Sequence, residues 1–170
     1  MDICRLILDD HAEQRRLFAL LEEVDRANKV QLAALWDRLR AFLHTHAEAE
    51  ERILYPAVLK HGKGAGGKSG PPAEVKDAIK DHNELREAAT AVGAHEVGSD
   101  AWFAAVDKAN EANSEHMGEE EREGLTDMRR NTSLELRHEL GAQFAAFDAL
   151  HIEGVPPVDK DPKTYIKENS

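Results

Sequence analysis

Histidine followed four residues later by glutamate occurs twice in this chain, as His46 and Glu50 in "HAEAEERILYP" and as His116 and Glu120 in "HMGEEER". Residues at i and i+4 share one face of a helix, so each pair aims an imidazole and a carboxylate the same way. Two more histidines, His11 in "DDHAEQR" and His82 in "KDHNELR", each follow an aspartate and stand four residues before an arginine. The halves correspond: His11 and His82 lie 71 residues apart, while His46 and His116, and Glu50 and Glu120, lie 70 apart. Four imidazoles and two carboxylates suit a pair of redox-active first-row ions. Calcium and magnesium take mostly oxygen, and structural zinc more often uses cysteine. If both carboxylates bridge, each ion has about four protein ligands and keeps open positions for O2, peroxide or another small ligand. Salt bridges to Arg52, Arg86 or Arg122 are the competing way to satisfy the glutamates.

Helices must carry these residues. The 3.6-residue apolar periodicity predicts them over about 2–27, 30–60, 72–95, 99–129 and 132–151. On the second, Leu32, Leu35, Leu39 and Phe42 form a stripe that continues through His46 and Glu50 to Ile53 and Ala57. On the third, His82 sits in the run Val75, Ala78, Leu85, Ala89 and Val92. On the first, His11 is flanked by Cys4, Ile7 and Phe18. On the fourth, Trp102 and Ala109 lead to His116, and Val106 and Asn113 to Glu120. The six polar residues therefore interrupt apolar stripes and should point inward. Pro56 should kink or end the second helix. The glycine-rich stretch "HGKGAGGKSGPP" (61–72) reads as a loop. The expected fold is all-α: an antiparallel up-down four-helix bundle with an additional C-terminal helix packed on its end or side. It spans residues 1–151, and 152–170 form an extended or mobile tail without periodicity.

Composition removes other classes. With 41% apolar and 32% charged residues the chain resembles an ordinary globular domain, and its net charge of −11 disfavours nucleic acid and anionic membrane as partners. One cysteine, Cys4, excludes an internal disulfide framework. Asp2 and Arg5 stand where a signal peptide would carry its apolar run, so the expected location is cytoplasmic. Among the other histidines, His44 aligns with Asp37, Arg40, Glu48 and Glu51 on an expected solvated face. His61, His95, His138 and His151 fall at helix ends or among charges.

The Asp-His pairs at 10–11 and 81–82 together with "HAEAEERILYP" and "HMGEEE" resemble the hemerythrin-like family, the HHE cation-binding domains, over about residues 2–129. The resemblance implies a four-helix bundle around two iron ions, a non-haem di-iron centre with an oxo or hydroxo bridge. It implies His11, His46, Glu50, His82, His116 and Glu120 as metal ligands, with Glu50 and Glu120 bridging. Oxygen-carrying hemerythrins have a second histidine where this chain has Arg86, and place the later carboxylate five residues after its histidine, which keeps Glu121 an alternative to Glu120. Arg86 either stabilises a bound anion or turns to solvent. Glu51 is a candidate outer partner, and Tyr55 either approaches the centre or packs. The expected function is binding of, or reaction with, O2 or peroxide, including peroxide decomposition. The alternative is O2, iron or nitric oxide sensing, or storage, without turnover.

Overall fold

The structure is a computed structural model that describes residues 1–65 and 70–170; residues 66–69 of the expected 61–72 loop lie outside the described residues. It contains α1 (Ile3–Glu23), α2 (Lys29–Ala49), a π-helical stretch (Glu50–Leu54), α3 (Tyr55–His61), α4 (Pro71–Val92), α5 (Asp100–Arg122), α6 (Gly124–Asn131), α7 (Leu134–Leu150) and α8 (Pro162–Asn169). Caps set the starts. Asp2, Asn28 and Ser99 accept backbone N–H groups of α1, α2 and α5, and Pro71 opens α4, where its missing N–H costs nothing.

Two apolar clusters show how the long helices run. One holds Ile3 and Ile7 of α1, Ala49 at the end of α2, Val75 and Ile79 of α4, and Leu125 beyond α5. The other holds Leu17 and Leu21, Leu32 and Leu39, Leu85 and Ala89, and Trp102 and Val106. Following the chain, α1 and α4 run from the first cluster to the second, and α2 and α5 run back. This is an up-down-up-down bundle. His11, His46, His82 and His116 fall between the clusters on every helix, so a polar layer divides the core. α7 lies across α1 and α2, with the Phe144 ring 5.8 Å from that of His46. An added Cβ at Gly141 of α7 would stand 2.3 Å from the Met1 carbonyl oxygen, so glycine permits this close approach. No helix among the described residues is long and apolar enough to cross a membrane.

Three local features differ from expectation. The run expected over 30–60 stays helical but widens at Glu50–Leu54, where the Tyr55 N–H bonds to the Glu50 carbonyl five residues back. The next such bond would need the N–H that Pro56 lacks. The Glu51 carbonyl instead accepts the Tyr165 hydroxyl. The run expected over 99–129 breaks at Glu123, before Gly124. The segment 152–170, expected to be extended or mobile, follows α2 and α4 and ends in α8, whose Tyr165 is buried.

Candidate metal centre

α1 presents His11, α2 His46, the π-helical stretch Glu50, α4 His82, and α5 both His116 and Glu120; all six are buried. Glu50 is central. Its Oε1 lies 2.9 Å from His46 Nε2 and 3.9 Å from His11 Nε2, and its Oε2 lies 3.2 Å from His82 Nε2 and 3.8 Å from His116 Nε2. Two triads result, His11/His46/Glu50 and Glu50/His82/His116, with the donor atoms of each within 4.8 Å of one another. They share one carboxylate and suit two ions. Glu120 Oε2 stands 3.4 Å from His11 Nε2. The Nε2 atoms of His82 and His116 are 3.0 Å apart.

Among the described residues, His11 Nε2, His46 Nε2 and both oxygens of Glu50 and Glu120 are buried without a hydrogen-bond partner. Several of these contacts are short enough to bond but do not point correctly. Lone pairs that converge on a common point, rather than pairing, have this geometry. Unpaired buried carboxylates are costly, and a cation at the convergence point removes the cost. The donor set, imidazole with carboxylate, fits iron.

The far nitrogens are fixed as well. His11 Nδ1 donates to Glu121 (3.0 Å), His46 Nδ1 to Asp10 (3.0 Å) and His82 Nδ1 to Glu51 (2.8 Å). His116 Nδ1 faces Asp81 at 3.8 Å. An imidazole whose Nδ1–H is held by a carboxylate leaves its Nε2 lone pair for a metal. Arg15 bonds Glu121 at 2.7 Å and Arg86 bonds Glu51 at 2.8 Å. The internal repeat therefore includes His11–Glu121–Arg15 and His82–Glu51–Arg86. The Glu-Glu doublets and the arginines at i+4 were its legible signal.

Burial works against the Glu50 charge, but His46, His116 and His82 outweigh it and hold the carboxyl well below the usual range. Burial also opposes protonation of His46, yet Glu50 and Asp10 raise it well above an ordinary imidazole. Glu51 is lowered to about 2 despite burial, by His82, Arg86 and Lys160.

Glu121 faces the Nδ1 side of His11, while Glu120 points among the Nε2 atoms. Arg86 turns neither to solvent nor to the centre: it is buried on Glu51 and Asn83, on the far side of His82. The Tyr55 hydroxyl lies inside, 3.3 Å from His82 Nε2, and burial with Glu120 and Glu50 nearby raises it well above an ordinary phenol. A cavity of about 20 Å³ touches Tyr55, His116 and Glu120 and is walled by Val58, Val75 and Ala78.

His44, Glu48 and Glu51 correct the expected solvated face. All three are buried, because segment 152–170 covers this side of α2. Thr45 bonds the His151 carbonyl, Lys160 pairs with Glu48 and Glu51, and Pro157 lies in the pocket beside His44. Burial, with Arg40 and Arg86 nearby, lowers His44 to about 4. His95 and His138 are exposed, as expected, and His61 and His151 are partly so.

A family model described as Hemerythrin HHE cation binding domain matches residues 2–126. No curated protein and no solved structure matches the chain.

Proposed function

Since the chain belongs to the hemerythrin HHE cation-binding domain family, we propose that it is a non-haem di-iron protein that binds or reacts with O2 or peroxide. One observation carries the reading: Glu50 divides its two oxygens between two imidazole pairs, and neither oxygen has a hydrogen-bond partner among the described residues. In this reading His11, His46 and Glu50 hold one ion, and Glu50, His82 and His116 hold the other. Glu120, whose Oε2 lies 3.4 Å from His11 Nε2, would add a second carboxylate on that side.

A pair of iron ions at these positions supplies redox chemistry and open coordination sites. The chain's residues decide what reaches them. The cavity of about 20 Å³ has room for roughly one water-sized molecule, which agrees with a small ligand, and Glu74, Asp81, Glu119 and Glu123 line the rest of it. Val58, Val75 and Ala78 restrict water on one side, and the Tyr55 hydroxyl offers a hydrogen bond beside His82. Arg86, held on Glu51, does not face this cavity, so anion stabilisation is not assigned to it. A second reading, sensing or storage of O2, iron or nitric oxide without turnover, draws on the contacts of the C-terminal segment with Glu51. Such contacts connect the centre to the surface.

The test is iron analysis of protein from iron-supplied cells, followed by anaerobic mixing of the di-ferrous form with O2 and with peroxide. About two irons per chain are expected, with a spectral response to at least one oxidant. No more than trace metal would overturn the assignment. Peroxide consumption separates the enzyme from the sensor.

A further inference from the structure

The two triads are related by the internal repeat, but their surroundings are not alike. On the His11 side, the outer carboxylate Glu121 has a side chain 30% exposed, and its partner Arg15 is 47% exposed. On the His82 side, Glu51 is 0% exposed and Arg86 4%. The difference comes from the C-terminal segment. Lys160 Nζ reaches the second oxygen of Glu51 and also Glu48, the latter at 2.8 Å. Asn83, one residue after His82, clamps the Lys160 backbone in both directions: its Nδ2 donates to the Lys160 carbonyl at 2.8 Å, and its Oδ1 accepts the Lys160 N–H at 3.1 Å. Tyr165 bonds the Glu51 carbonyl.

We propose that Lys160 is a positioning residue of the metal centre, holding His82 through Glu51 and making the Glu50/His82/His116 position the more firmly held of the two. This rests on the reading that each triad holds an ion. Glu51 has two carboxylate oxygens. One takes His82 and Arg86, and the other takes Lys160. With both engaged the carboxylate cannot rotate, and the imidazole it anchors has a single orientation toward the centre. Glu121 has Arg15 and His11 on one oxygen, and water is free to reach it. The polarity is therefore built in: one ion site is locked from the outside, and the other is left adjustable.

The experiment uses the full-length iron-loaded protein with Lys160→Met, which keeps most of the stem and removes the ammonium, and Lys160→Arg, which restores a cation. Iron release to an excess of chelator is followed by absorbance. The wild type should lose its ions in two phases. Lys160→Met should speed the slow phase several-fold and by up to about tenfold, the low end of what losing Glu51, the outer partner itself, would do. The fast phase and the far-ultraviolet spectrum should stay unchanged. Lys160→Arg should stay near wild type, and Arg15→Met should speed the fast phase instead. Anomalous scattering at the iron edge from partly stripped crystals identifies the emptied position: in the wild type it should be the one beside His11, and in Lys160→Met the position beside His82 should lose a larger share of its iron than it does in the wild type. Unchanged phases, equal acceleration of both, or wild-type crystals that lose iron first beside His82 would overturn the proposal. Wild-type protein that binds no iron would bring down the di-iron reading, and this inference with it, before any variant is made.

Discussion

Glu50→Gln keeps the size and shape of the side chain and removes the single charge that both imidazole pairs face. An amide oxygen is a weaker ligand than a carboxylate, and the amide nitrogen offers hydrogens where lone pairs are needed. Both ion positions should therefore fail together. An ion at 100 to 1,000 times its Kd stabilises the fold by about 2.7 to 4.1 kcal/mol, so two ions contribute about 5–8 kcal/mol. For a domain of this size, each kcal/mol moves the melting temperature by about 2–4 °C. The iron-supplied variant should therefore melt roughly 10–30 °C below the iron-loaded wild type. The assay is calorimetry with iron analysis on the same samples, each repeated after chelation. Chelated samples of the two proteins should differ by much less, because neither carries the ions. Two irons per chain in Glu50→Gln, with melting at the wild-type temperature, would refute the shared-carboxylate argument.

His44→Ala should keep both irons while losing about 1–3 kcal/mol in urea unfolding, since it empties a buried position away from the triads. The fold holds His44 neutral, its value being lowered from 6.5 to about 4. Wild-type stability should therefore fall as pH drops from about 6.5 toward 4, and that part of the acid limb should be missing in the variant. Asp148 is shifted the other way, raised to about 6 by burial and by Asp10. An acid raised in the fold costs stability once the unfolded chain ionises. Asp148→Asn should therefore stabilise the protein at pH 8 by on the order of 1 kcal/mol, after allowance for solvent screening. Melting curves at the two ends should show the gain vanish below about pH 4.

The repeat made the inner residues legible. Four histidines and two glutamates recurred at matched offsets on apolar stripes, and a helix leaves i and i+4 no choice but to share a face. Glu120 and Glu121 could not be ranked from phase alone, because adjacent residues at the edge of a buried stripe both find inward partners. The structure gives one the Nε2 side of His11 and the other its Nδ1 side. The burial of His44, Glu48 and Glu51 escapes the pattern for a different reason, although Glu51 does take the outer-partner place expected of it, on His82 Nδ1. Their own helix pattern is that of a solvated face, and what buries them is a segment more than 100 residues later in the chain. That segment has no apolar period, because it docks through Lys160, Asn83 and Tyr165 rather than through a stripe. The break at Glu123 had Gly124 as its only local sign.

Counted along the chain, the wide turn at Glu50–Leu54 is an α-helix with one residue inserted. In an unbroken α-helix Tyr55 would stand about 140° around the axis from Glu50, at about 100° per residue. With the insertion, both reach His82 Nε2, Tyr55 at 3.3 Å and Glu50 at 3.2 Å. Pro56 acts as a ratchet on that insertion. Pro56 has no donor for either spacing, but closing the turn back to α would also drive its ring against the Arg52 carbonyl four residues back. The wide turn in turn leaves the Glu51 carbonyl for Tyr165 to cap. The wide turn, Pro56 and Tyr165 are thus mechanically linked, although Tyr165 lies 114 residues from the carbonyl it caps.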